Sequence, residues 1–117
     1  MRNAIDYAYE RNVVLVAAAG YSNDCKCEQG IEIIDADYGW NDNVVYPDSY
    51  TRVLAVGATN TSDAFGFSSN YGYDVIFAPA DFLSGGVWST TSDGGYDDIN
   101  DGNSFAAPKV SALAALI

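Results

Sequence analysis

Histidine is absent from this chain, and basic residues are scarce. The 117 residues include five Lys and Arg against sixteen Asp and Glu, which gives a formal net charge of −11. Without imidazole, no side chain has an unperturbed pKa near neutrality, so an acid–base relay through histidine would need a group from outside these residues. Nonspecific nucleic-acid binding requires a basic face, which five cations do not supply. We therefore expect no nucleic-acid partner.

Long apolar runs are also missing. The longest one, from Val13 to Ala19, is far shorter than the roughly 18 residues that a membrane-spanning helix needs. The first residues do not form the apolar core of a signal peptide. We therefore expect a soluble chain that has no membrane partner.

Cysteine occurs only twice, as Cys25 and Cys27. A disulfide across one intervening residue is strained, and two thiolates do not complete a tetrahedral zinc site. This spacing favours free or externally paired thiols in a surface loop over a metal or redox pair.

Enough apolar sequence is present to form one compact domain. Hydrophobic residues make up 49% of the chain and aromatic residues 14%, which is too apolar for a disordered acidic tail. Residues 3–11 have helical spacing, and three apolar runs predict short buried strands of a parallel sheet, at residues 13–20, 53–58 and 74–79. Residues 21–43 predict a long excursion with an extended piece at 31–34, and residues 84–102 predict loops with a short hairpin.

The last fourteen residues predict a helix that is apolar on almost every face and begins near Ser104. Pro108 lies about one turn in and does not exclude it. The sequence stops while this helix is still apolar, so we expect a chain cut from something larger. Ser104 has two interpretations: a helix N-cap, which local chemistry alone favours, or a nucleophile at the positive end of a helix.

A longer pattern favours the nucleophile. Residues 102–112, Gly-Asn-Ser-Phe-Ala-Ala-Pro-Lys-Val-Ser-Ala, resemble the active-site serine motif of the subtilisin-like serine proteases, Gly-Thr-Ser-Met-Ala-x-Pro-His-Val-x-Gly. Three further blocks resemble that family in the same order, namely residues 4–20 with an Ala-Ala-Gly turn, 45–58 with Tyr-Pro, and 67–79 with Phe-Ser-Ser-Asn-Tyr-Gly. The resemblance covers nearly the whole chain apart from 21–43 and 84–101.

This resemblance implies a three-layer subtilisin-like α/β domain, with a parallel sheet flanked by helices. Residues 1–117 would be the C-terminal portion of the peptidase domain, with its leading strands missing. Ser104 would be the nucleophile, while the histidine and aspartate of the triad would precede the first matching block. We therefore expect the isolated chain to be inactive.

The resemblance also implies an oxyanion donor just after the Ala-Ala-Gly turn, where the family has asparagine. Tyr21 occupies that position here and Asn23 follows two residues later, while Asn103 replaces the threonine of the serine motif. These three residues are the candidate oxyanion donors.

Two acidic groups raise the question of calcium, which subtilisin-like proteases often bind. Neither group has EF-hand spacing, and a solvated acidic loop is the favoured interpretation of both. No cofactor is required and no metal ligand is assigned, but calcium binding stays open for Asp35, Asp37, Asp42 and Asp48, and for Asp93, Asp97, Asp98 and Asp101.

Two functions follow from the resemblance. The first is a secreted serine endopeptidase, which would act on polypeptides and have the missing N-terminal part of its domain as a partner. The second is a noncatalytic pseudoprotease that binds a peptide or a partner subunit. The absence of histidine and the presence of Tyr21 favour the second, whereas Ser104 in its motif favours descent from a working enzyme.

Overall fold

The computed structural model describes residues 1–20, 45–65, 69–72, 74–80 and 86–117. The predicted extended piece at 31–34 lies outside these residues. Within them, no helix is long and apolar enough to cross a membrane. The elements in chain order are α1 (Arg2–Tyr9), β1 (Val16–Ala18), β2 (Leu54–Thr59), β3 (Val75–Pro79), β4 (Val87–Thr90), β5 (Tyr96–Asn100) and α2 (Asn103–Ala114).

The first three strands form one parallel sheet in the order β1-β2-β3. Ala17 pairs with Ala55, and Val56 pairs with Ile76. Parallel strands must be joined by crossovers, so all three carboxyl ends lie at the same edge of the sheet. The predicted α/β fold with a parallel sheet is confirmed.

Helix α2 packs on one face of this sheet. The core that they share is built from Val56, Ala58, Ala78, Ala106 and Val110, each at most 8% exposed. Since all five of these positions carry alanine or valine, the helix can lie close to the strands. Each fully buried valine contributes roughly 1.5–3 kcal/mol.

Burial of α2 and β1 is less complete than the sequence predicts. In α2 only Asn103, Ala106 and Val110 are buried, and Leu113 is 59% exposed. The predicted strand at residues 13–20 is shorter, because β1 spans only Val16–Ala18 and the preceding valines are half exposed. Hydrophobicity predicts which residues can be buried, but a neighbouring element must be present to cover them.

The second face of the sheet is covered by loop segments. Ala19 and Ala55 are buried there, with Val45 and Val75 packed against them. At Gly57 the cover is so close that a Cβ atom would lie 2.4 Å from Cε1 of Phe77 and 2.9 Å from Oγ of Ser69. The missing side chain of this glycine therefore lets the segment around residue 69 lie directly on β2.

Strands β4 and β5 form the predicted hairpin as a separate antiparallel pair. The connecting turn is closed by Asp93, whose carboxylate accepts hydrogen bonds from the Thr91 hydroxyl and from the Gly95 amide. These bonds hold the pKa of Asp93 below its ordinary value. The chain then passes from β5 into α2 through Asp101 and Gly102.

We predict that Gly57→Ala destabilises the fold by about 1–3 kcal/mol, since the new methyl group must displace Phe77 or Ser69. Chemical denaturation would measure the change in the free energy of unfolding. Gly95→Ala is the control, because its Cβ would meet no atom closer than Oγ1 of Thr91 at 3.1 Å. Equal losses in the two variants would contradict the packing explanation.

Candidate active site

Ser104 lies in the first turn of α2 and is exposed. The residue that caps this helix is Gly102, with φ 92° and ψ 177°, a conformation that is essentially restricted to glycine. The N-cap interpretation of Ser104 is therefore wrong: the serine is the second residue of the helix. Within the described part of the chain, its hydroxyl has no hydrogen-bond partner.

Pro108 further shapes this turn. Helix α2 begins at Asn103, one residue earlier than predicted, so a backbone N–H at position 108 would have bonded the carbonyl of Ser104. Proline has no N–H and its ring crowds that carbonyl. The first turn is held by bonds to Gly102 instead, from the amides of Phe105 at 2.9 Å and Ala106 at 3.3 Å.

A buried polar network joins the start of α2 to the end of β1. Nδ2 of Asn103 donates a hydrogen bond to the carbonyl oxygen of Gly20. Oδ1 of the same side chain accepts a hydrogen bond from Oγ of Ser69 at 2.9 Å. Oγ of Ser69 in turn accepts a hydrogen bond from the amide of Ala58 at 3.1 Å. Asn103 is 6% exposed, so the network lies inside the protein.

Asn70 fixes the other side of the same strand end. Its Nδ2 donates to the carbonyl of Ala19 at 2.9 Å, and its backbone amide donates to the carbonyl of Gly20 at 3.2 Å. The Gly20 carbonyl thus accepts two hydrogen bonds, one from Asn70 and one from Asn103. This pairing holds the Ala-Gly turn beside the residue that precedes Ser104.

The start of α2 is also attached to the far strand. The amide of Gly102 donates to the carbonyl of Ala80 at 2.7 Å, and the amide of Ala80 donates to Thr59 at 2.9 Å. About two turns further along, Nζ of Lys109 donates to the carbonyl of Pro79. Ser104 therefore stands at the carboxyl edge of the parallel sheet, the edge where α/β folds bind their ligands.

The predicted site residues have different positions. Ser104 is at the helix start and exposed, and Asn103 is buried with its amide nitrogen already bonded to Gly20. The other candidates and the cysteines lie outside the described residues, namely Tyr21, Asn23, Cys25, Cys27, Asp35, Asp37 and Asp42.

Sequence reasoning gave no role to Ser69 and Asn70, although they lie in one of the resembling blocks. Their exposed fractions are 4% and 1%, and buried polar residues in a mostly apolar sheet layer need partners. A Ser-Asn pair between two predicted buried strands was the available signal. The pattern could not predict their partners, because Asn103 lies 34 residues from Ser69 and Ala19 lies 51 residues from Asn70.

The second acidic group does not gather into a metal site. Among the described residues, no three His, Cys, Asp or Glu side chains are placed to hold a metal ion. Asp97 and Asp98 are neighbours on β5, so their side chains leave opposite faces of the hairpin. Asp93 is engaged by its own turn. The described residues of this second group therefore do not bring together the carboxylates of a calcium site.

Asp48 is the one acidic residue of the first group that the structure describes, and it is buried. Its side chain is 4% exposed, and neither carboxylate oxygen has a hydrogen-bond partner in another described residue. Burial raises the pKa of this carboxyl from an ordinary 3.8 to about 6. Near neutrality this carboxylate is therefore a desolvated negative charge that has no ion-pair partner among the described residues.

The model of the subtilase family matches residues 1–117, the full length of the chain. The chain belongs to the subtilase family. The resemblance to this family that the sequence shows is therefore confirmed. Members of this family are serine proteases and need no organic cofactor.

Individual relatives agree with this assignment. Alkaline protease 1 of Aspergillus clavatus is 36% identical over 117 residues, which cover 98% of this chain and 24% of that protein. Subtilisin DY of Bacillus licheniformis is 33% identical over 118 residues, covering 100% of this chain and 36% of the relative.

Solved structures agree as well. The prenylagaramide maturation protease PagA superposes with a TM-score of 0.74 at 31% identity, over 98% of this chain and 35% of that one. The protease domain of PatA gives a TM-score of 0.73 at 30% identity over 97% of this chain. This subtilase chain thus spans 24% to 36% of the length of the compared proteins.

We predict that Asp48→Asn changes how the stability of this subtilase depends on pH. The raised pKa means that ionised Asp48 destabilises the folded state by about 3 kcal/mol above pH 6, and that this cost disappears below about pH 4, where the carboxyl is protonated in both states. Urea unfolding at several pH values should show the wild type losing about that much relative to the variant as the pH rises from 4 to 7.

The control for this experiment is Asp74→Asn, because Asp74 is exposed. Its free energy of unfolding should follow the wild type across the same pH range. Parallel curves for Asp48→Asn and the wild type would show that the carboxylate has a partner in solution.

Proposed function

We propose that Ser104 is the nucleophile of a serine endopeptidase, in the longer protein to which this chain contributes. The supporting observation is an exposed serine hydroxyl in the first turn of a 12-residue helix, with the preceding residue bonded to the end of β1. The serine oxygen would attack the peptide carbonyl carbon while its proton passes to a base. That base would protonate the leaving amine, and water would then hydrolyse the acyl-enzyme.

The base must come from outside this chain, because none of its 117 residues is histidine. The chain would therefore be the C-terminal portion of the peptidase domain, and its first partner would be the preceding portion with the triad histidine and aspartate. Alone, it would hold a nucleophile without the group that activates it. Its substrates would be polypeptides.

Stabilisation of the oxyanion would rely on the helix start. The amide of Ser104 lies in the first turn of α2 and has no acceptor within that helix. It can therefore donate to the developing negative charge, at the positive end of the helix. Tyr21 and Asn23 remain candidates for a second donor.

Asn103 would act differently from an oxyanion donor. Its Nδ2 is bonded to Gly20 and its Oδ1 to Ser69, so donating to a substrate would require both bonds to rearrange. We assign it a positioning role, in which it sets the distance between the Gly20 turn and Ser104.

A secreted location and calcium binding are secondary parts of the proposal. Secretion is proposed from family membership alone. The described acidic residues do not form a calcium site, so no step of the reaction is assigned to a metal.

The second candidate is a noncatalytic subtilase that binds peptides. The observation in its favour is the sequence after Gly20, where tyrosine stands at the position of the family's asparagine. Loss of such a donor costs about 10²–10³ in turnover, which a working enzyme would have to recover from another group.

A fluorophosphonate probe separates the two functions. We predict that the protein containing this chain with its preceding portion is labelled stoichiometrically at Ser104, because the base activates the hydroxyl. The isolated 117-residue chain should not be labelled. Intact-mass measurement and peptide mapping would locate the label.

Two serine variants complete the labelling experiment. Ser104→Ala should abolish labelling, whereas Ser111→Ala should retain it, since the Ser111 hydroxyl is bonded to the carbonyl of Ala107 within the helix. An unlabelled longer protein would support the noncatalytic function. Labelling of the isolated chain would refute the need for an external base.

For the positioning role, we predict that Asn103→Ala lowers the labelling rate of Ser104 by about a hundredfold, the size of effect that a misplacement of about 1 Å produces. In peptide cleavage, kcat should fall while KM changes little. The matched control is Asn100→Ala, which removes a 3.4 Å hydrogen bond to the carbonyl of Asp97 in the hairpin. A change in melting temperature without a change in labelling rate would reduce Asn103 to a structural role.

A further inference from the structure

A cavity of about 470 Å³ lies between α1 and residues 50–52. Its helical wall is formed by Arg2, Ile5, Asp6 and Tyr9, whose spacing of three and four residues places them on one face of α1. The volume lies in the range of roughly 300–1,000 Å³ that small-ligand pockets occupy. None of the described residues that line the cavity belongs to the hydrogen-bond network beside Ser104.

Two guanidinium groups line the cavity, and each is stacked on a tyrosine ring. Cζ of Arg52 lies over the ring of Tyr9, 4.8 Å from its centre, and Cζ of Arg2 lies over the ring of Tyr50 at 5.5 Å. Stacking of this kind uses the flat face of the guanidinium group, whereas its N–H donors point outward in the plane of the group. The rings therefore restrict the orientation of two sets of hydrogen-bond donors.

The charge of the cavity favours a ligand with a single negative charge. Asp6 is the one acidic side chain among the described residues that line it, and its Oδ1 lies 2.6 Å from Nη1 of Arg52. The two guanidinium groups thus exceed the acidic side chains by one charge. A carboxylate balances this excess, whereas a phosphate group near neutrality carries up to about two negative charges.

The ion pair between Arg52 and Asp6 can be replaced at little cost. Their side chains are 44% and 40% exposed, and water competes strongly with ion pairs of such exposure. A carboxylate brought by a ligand can therefore take the place of Asp6 on Arg52. In this exchange Asp6 acts as an internal competitor for the ligand.

The chain as a whole opposes the binding of anions. Its formal net charge of −11 repels them at long range. Anions are therefore not expected to collect on this protein nonspecifically, and one that binds must be held by local donors. The guanidinium groups of Arg2 and Arg52 supply such donors.

We propose that this cavity is a second binding site, which takes a carboxylate group of a polypeptide. The carboxylate is either an aspartate or glutamate side chain or the C-terminus of a chain. Its two oxygens match the paired N–H donors at the edge of a guanidinium group. A polypeptide is the ligand class because subtilases act on polypeptides. The site binds its ligand whether or not Ser104 is a nucleophile.

Titration calorimetry on the longer protein tests this site with four compounds. N-acetyl-glutamate amide carries only a side-chain carboxylate, N-acetyl-glycine carries only a terminal one, and N-acetyl-glutamine amide carries neither. We expect one or both of the carboxylates to bind, which identifies the source, and the glutamine compound not to bind. Inorganic phosphate, the fourth compound, should bind more weakly than the preferred carboxylate.

Variants of the cavity make the expectation specific. Arg52→Gln should weaken binding of the carboxylate about tenfold, because charge-assisted hydrogen bonds are lost. Asp6→Asn should strengthen it about threefold, the size of effect of an exposed ion pair. The matched control is Arg11→Gln, which should leave the affinity unchanged. Arg11 is also stacked on a tyrosine, with Cζ 3.4 Å from the ring centre of Tyr7, but it does not line the cavity.

The same titrations separate this proposal from the proposed function. Ser104→Ala should bind the carboxylate as the wild type does, although it cannot be labelled by a fluorophosphonate. Equal binding of the glutamate and glutamine compounds, with no binding of N-acetyl-glycine, would overturn the proposal. An unchanged affinity in a folded Arg52→Gln variant, verified by its melting temperature, would overturn it as well.

Discussion

The side chain of Asn103 is the interaction on which the arrangement of this site depends. An amide carries both a donor and an acceptor, so one residue can hold the carbonyl of Gly20 with its nitrogen and the hydroxyl of Ser69 with its oxygen. Because the network is buried, breaking one bond leaves desolvated polar atoms without partners, which costs about 1–3 kcal/mol for each. The distance between the end of β1 and Ser104 is therefore fixed by a contact that cannot be broken without a large loss of free energy.

This network is possible only because the sheet carries very small side chains. Gly57 leaves room for Ser69 to lie on β2, where it accepts from the amide of Ala58 and still reaches Asn103. On the other face, alanines at 58, 78 and 106 let α2 approach the strands. The polar bridge at the sheet edge thus depends on the close packing of both faces. A larger side chain in the middle of β2 would displace Ser69 and so disturb its hydrogen bond to Asn103.

Most of the fold could be predicted from the sequence, whereas the network could not. Continuous apolar runs predicted the three parallel strands, because such runs are favoured where both faces of a sheet are covered. The apolar run predicted too long a β1. Val13 and Val14 are typical residues of a buried strand, but no neighbour in the described chain covers them. Local preference also ranked Ser104 as the helix cap, although the chain conformation at 102 requires glycine. The bond between Asn103 and Ser69 joins residues 34 apart, and no local pattern contains it.

Two energetically unfavourable features of the described residues, at Gly102 and at Asp48, differ in kind. Gly102 adopts a conformation that other residues avoid, and glycine meets that requirement at the cost of a more flexible unfolded chain. For Asp48 no choice of backbone removes the cost, because the charge itself is desolvated and has no ion-pair partner among the described residues. An asparagine or an apolar residue at position 48 would therefore make the folded chain more stable near neutral pH.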